Sequence, residues 1–166
     1  MPTLRQVQEL ARFLHRPLNV FFLPSPPHVP PLATEYRRLP GVTPGQESPE
    51  LRLALRQMIS RRETAVALME ELGDSIVAFK LEAHPSEDAA AVGARLRAAL
   101  GITNEAQSGW RDEWQAWREW RAAVEHLGVL VFQFPKVELT DVRGLSLLRF
   151  PMPVVGVNSK EQPESR

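Results

Sequence analysis

The sequence predicts an α+β protein, predominantly helical, with a small antiparallel sheet of about three strands near the C-terminus. Three observations predict it. Apolar residues recur at three- and four-residue steps through most of the chain up to Leu127. Three of the periodic segments end on Leu-Gly, at Leu72-Gly73, Leu100-Gly101 and Leu127-Gly128, where glycine reaches the left-handed conformation without a Cβ penalty. After Gly128 the pattern changes to short β-branched and aromatic runs bounded by proline.

The first segment carries Leu4, Val7, Leu10, Ala11 and Leu14 at helical spacing. Pro17 ends that helix, and the apolar run Leu18 to Leu23 forms a second short one. Residues 1–24 are therefore a helical pair with more apolar surface than it can bury alone, and a helix already under way at Met1 leads us to expect chain before it. Residues 25–47 read as a proline-rich linker. Five prolines between positions 24 and 31 remove backbone donors and fix φ, which favours an extended, semi-rigid spacer over helix or central strand. A proline-rich ligand for a partner domain is the competing reading.

Residues 48–127 form the helical region. Ser48 suits an N-cap, Pro49 the first helical position, and Glu50 the positive end of the helix dipole. Leu51, Leu55, Met58, Ile59, Val66, Met69 and Leu72 follow, and Ile76 to Leu81 could extend the helix after a kink. A second helix runs from Ser86 to Leu100 and a third from Thr103 or Asn104 to Leu127. Residues 128–166 then hold the strands VLVFQF, LSLLRF and PVVGVN, expected as an antiparallel meander, and a polar tail expected to fray.

All four tryptophans, Trp110, Trp114, Trp117 and Trp120, lie within the third predicted helix and share one side at 100° per residue. Burying one indole is worth on the order of 4–6 kcal/mol as an upper bound, so such a face is expected to be covered. Packing against neighbouring helices and the sheet is the plain reading, and a partner surface is the alternative. The interleaved charges are mixed, which argues against a nucleobase-stacking platform.

Composition bounds the chemistry. The formal net charge is zero, with 20 basic and 20 acidic residues, where a nucleic-acid binder ordinarily carries a basic excess. Cysteine is absent, which removes disulfides, thiolate metal sites and thiol nucleophiles. No apolar run is long enough to span a bilayer and the N-terminus lacks a secretory pattern, so a cytoplasmic location and no membrane partner are expected. The histidines stand at 15, 28, 84 and 126, too far apart for an HExxH pair on one helix. His126 suits the last turn of a helix, where a cation is favoured. Neither a phosphate-cradling glycine loop nor a GxSxG elbow occurs, and Glu70-Glu71 and Glu87-Asp88 read as solvated charge. No catalytic, metal-binding or DNA-binding residue is assigned.

Two stretches taken together resemble a known family. WREWRAAVEHLGVLVFQFPKVELTDVRGLSLLRFPMPVVGVNS resembles the region just upstream of the zinc-binding helix in ImmA/IrrE-type metallo-endopeptidases, through Trp120-Arg121, Glu125, Gly128, Val131-Phe132-Gln133, Gly144, Pro153 and Asn158. PTLRQVQELARFLHRPLNVFFLPSPP resembles the last two helices of an Xre-type helix-turn-helix domain and its exit. The resemblance implies a regulatory zinc peptidase that cleaves repressor-type proteins in stress or mobile-element control. It also implies that this chain is the middle portion only. It ends at Arg166 before an HExxH motif, and it lacks the helix that would enter the major groove. The expectation is a truncated, catalytically inactive relative with no cofactor of its own, zinc belonging to full-length relatives, and an apolar sheet face open to self-association. The alternatives are an Xre-type DNA-binding regulator, disfavoured by the missing helices, and an interaction module that complements a separately encoded catalytic half.

Overall fold

The computed structural model describes residues 2–26 and 47–162; the linker prolines from Pro27 onward and the last four residues lie outside them. Within the described residues the chain is α+β. The helix α1 (Leu4–Phe13) is followed by a 3-10 helix at Leu18–Phe22, then α2 (Pro49–Leu72), α3 (Ala89–Leu100), α4 (Asn104–Ser108), α5 (Glu113–His126), and the strands β1 (Leu130–Phe134), β2 (Gly144–Leu147) and β3 (Val154–Asn158).

Local chemistry sets the helix ends. Thr3 and Gln6 form a capping box at the start of α1, and the Ser48 hydroxyl accepts from the Leu51 N–H at the start of α2. Gly73 and Gly101 close α2 and α3 at φ 70° and 68°. The third predicted helix is two helices. Gly109 ends α4 after five residues, and Asp112 recaps the chain by accepting from the Gln115 N–H at 2.7 Å. Ile76 to Leu81 do not continue α2; the segment carries no regular hydrogen-bonded structure. It crosses close over Gly128, where a Cβ would stand 2.1 Å from the Val77 carbonyl oxygen, so that crossing requires glycine.

The sheet is mixed, which corrects the expected antiparallel meander. Its order is β1-β3-β2, with β3 parallel to β1 and antiparallel to β2. The cause is the connection between β1 and β2. Val137 and Val142 in that connection are buried in the core, so the chain is drawn away from β1 instead of turning back beside it. This leaves the slot next to β1 for β3. Asn158, fully buried at the end of β3, holds the arrangement: its Nδ2 donates to the Val137 and Val142 carbonyls, both at 3.0 Å.

The core lies between α2 and one face of the sheet. Leu51, Ala54, Leu55 and Met58 pack on Phe134, Leu145, Leu147 and Val154, with Leu130 and Phe132 alongside. Gly156 gives α2 its close approach, since a Cβ there would stand 2.7 Å from the Met58 sulfur. One turn further along the same stripe, Arg62 is buried. Its Nε donates to the Met152 carbonyl at 2.8 Å and its Nη2 to the carbonyls of Arg149 and Phe150 at 3.0 and 2.8 Å. The β2–β3 connection is thereby clamped to α2. The start of the polar tail is also tied down: Glu161 is buried and pairs with Arg143 at 3.3 Å. No helix among the described residues is long and apolar enough to cross a membrane.

Candidate interaction groove

Side chains alternate across a strand, so the residues that do not face α2 share the other side of the sheet. The pairings Gln133↔Val157, Gly144↔Val157 and Ser146↔Val155 put Val131, Gln133, Ser146, Val155 and Val157 there. Helix α5 packs beside β1 and covers part of this face, and α3 packs on α5. Between those helices and the β3–β2 side runs a groove of about 510 Å³. Its walls are Leu96 and Leu100 of α3, Val124 of α5 and Leu127 just past it, Phe79 from the crossing segment, Val155 of β3, and Val129, Leu148 and Pro153 beside the strand ends. Ser146 is the one polar residue lining it. Leu148 and Leu96, at 58% and 43% exposure, stand open to solvent at its margin. An open apolar groove of this kind has the shape and lining on which polypeptide or an apolar ligand can dock.

On the same sheet face, the Gln133 Nε2 is buried with no hydrogen-bond partner. A buried donor left unmatched costs about 1–3 kcal/mol.

The tryptophans do not form one covered surface. Trp110 precedes α5, and its ring meets Trp120 edge-on at 6.1 Å and 80°. The Arg97 guanidinium lies 5.4 Å from the Trp120 ring centre and also donates to Gln107 and to the Ile102 carbonyl. Trp110 and Trp120 thus brace the α4–α5 corner against α3. Trp114 is half exposed and Trp117 only partly buried, so the expected covering of all four does not occur. The one-sided array depended on an unbroken helix, and Gly109 ends α4 ahead of Trp110.

The described imidazoles lie on separate elements. His15 follows α1, His84 bonds Ser86 in the loop before α3, and His126 closes α5; His28 lies outside the described residues. No three histidine, aspartate or glutamate side chains among the described residues converge on a point where a metal could sit. Glu87 is held below the ordinary carboxylate range, first by a hydrogen bond from Arg95 at 2.7 Å and then by the His84 N–H. Glu105 is lowered by its own backbone N–H and the Thr103 hydroxyl at the start of α4. Both are surface carboxylates held as anions by these local donors.

The groove escaped sequence reasoning because its walls come from five separated segments. Arg62 left a usable trace. Leu51, Leu55, Met58 and Arg62 run at four-, three- and four-residue steps, so a cation sits where the stripe demands an apolar residue. No protein-family model, no curated protein and no solved structure matches this chain.

Proposed function

We propose that this chain is the scaffold portion of a regulatory zinc metallo-endopeptidase of the ImmA/IrrE type, with no catalytic group of its own, and that its groove receives an apolar helix of the catalytic part. The open groove on the sheet face opposite α2 carries this reading. Cleavage of a repressor-type protein is the activity that the resemblance implies for the complete enzyme.

Two measurements test the reading. Calorimetric zinc titration is expected to give no stoichiometric heat, and a one-to-one site of sub-micromolar affinity would overturn it. Light scattering is expected to show self-association through the uncovered groove, relieved by Leu148→Glu at its margin with an unchanged helical spectrum. A chain that stays monomeric and melts cooperatively without that substitution argues that the groove needs no occupant.

A further inference from the structure

Helix α2 outruns the core it serves. Its buried residues end at Arg62, although the helix continues to Leu72. Over that last stretch an apolar spacing runs along a neighbouring stripe, where Arg61, Ala65, Leu68 and Leu72 recur at four-, three- and four-residue steps. Leu68 and Leu72 are 50% and 71% exposed. Two leucines one turn apart on a solvent-facing stripe gain when another helix lies along them.

The charges along α2 are segregated as well. Arg52, Arg56 and Arg61 precede the exposed stretch, whereas Glu70 and Glu71 stand in the last turn, which carries no basic residue. That is the reverse of what the helix dipole favours, since the carbonyl end already bears partial negative charge. Neither Arg61 nor Glu70 nor Glu71 forms an ion pair among the described residues. The Arg61 guanidinium instead lies 5.8 Å from the Phe132 ring centre. A ring contact engages one face of the guanidinium plane and leaves the donors at its edge available.

We propose that α2 pairs antiparallel with α2 of a second copy of this chain, about a two-fold axis between Val66 and Ala67. This surface is separate from the apolar groove and independent of the peptidase reading. In that register Leu68 of one copy meets Ala65 of the other, and Leu72 lies along the stem of Arg61. The small alanine lets the helices approach closely, and the Arg61 donors reach Glu71 beside Leu72. Both contacts occur twice by symmetry. A parallel pair would set Arg61 against Arg61 and Glu71 against Glu71, so the charges select the antiparallel arrangement. Glu63 and Glu70 fall on the opposite side of the helix from this stripe and do not meet. Three turns of helix bury less than the roughly 800 Å² per partner of a standard interface, so the dimer is weak, with a Kd on the order of 10–100 μM.

The full chain carrying Leu148→Glu, which keeps the groove from self-association, is followed by sedimentation equilibrium over a concentration series spanning that range. A monomer–dimer equilibrium is expected. Adding Leu68→Glu/Leu72→Glu should leave only monomer, with an unchanged helical spectrum because both side chains are exposed. Arg61→Glu and Glu71→Arg, made separately, should each weaken dimerisation roughly 10-fold or more, since each sets like charges together twice. Mixing these two variants in equal amounts should restore a dimer as tight as the parent, because only the mixed pair brings opposite charges together at both ends. A chain that stays monomeric throughout the series overturns the proposal. So does a dimer that survives Leu68→Glu/Leu72→Glu, which would rest on another surface. Charge variants that fail to recover on mixing overturn it too, because the antiparallel register requires that recovery.

Discussion

Replacing Arg62 by methionine removes the three donors that clamp the β2–β3 connection to α2 while keeping most of the apolar stem. In the native chain one guanidinium serves the carbonyls of Met152, Arg149 and Phe150 at 2.8 to 3.0 Å. Hydrogen bonds from a charged donor are worth about 1.5–3 kcal/mol each. Their plain sum overstates the loss, because Phe150 is 62% exposed and its carbonyl can recruit water once the clamp is gone. A loss of about 3–4 kcal/mol is expected for Arg62→Met, close to the range for breaking a buried charge network. That corresponds to a fall in melting temperature on the order of 10–15 °C. Arg62→Lys keeps the charge but not the fork, and should recover no more than about half of the loss. Urea unfolding followed by circular dichroism measures the difference, and hydrogen exchange at β2 and β3 locates it. If Arg62→Met unfolds within about 1 kcal/mol of the native chain, or lysine substitutes fully, the clamp is not what holds this connection.

Gly156→Ala should cost about 1–3 kcal/mol by overpacking against Met58, and the cost should shrink or reverse in a Met58→Ala background; urea melts of the four chains give the coupling, and strict additivity would refute the contact. Asn158→Ala should lose about 2–4 kcal/mol, because the Val137 and Val142 carbonyls are left without donors, and hydrogen exchange in the β1–β2 connection should rise with it. Glu87 has a folded pKa below its unfolded value, so its contribution is fully present above the unfolded value and is lost as pH falls through the folded one. Acid titration of the Glu87 carboxyl by NMR should give a midpoint below that of an isolated glutamate, and Arg95→Gln should move it back up.

The helical half was legible because its signals are local. Ser48, Pro49 and the Leu-Gly ends specify α2 within a residue of where it lies, and Leu100-Gly101 does the same for the end of α3. Gly109 and Asp112 also carried a readable stop and restart, but the tryptophan periodicity on either side masked them. The strands were legible as strands and not as a sheet. Each run of β-branched and aromatic residues marks where a strand lies, while its neighbour is chosen by long-range packing. The partners of Arg62 illustrate the same limit: the misplaced charge is visible in the sequence, but the carbonyls it binds lie nearly 90 positions further on.

By itself the sequence determined the fold class, the main helices, the three strands and the absence of thiol chemistry, because capping, periodicity and composition act over a few residues. Only the tertiary structure decided the mixed strand order, the clamp at Arg62 and the apolar groove beside Val155. Each of these depends on where separate segments meet once Val137, Val142 and the α2 stripe are buried together, and burial is a property of the folded whole.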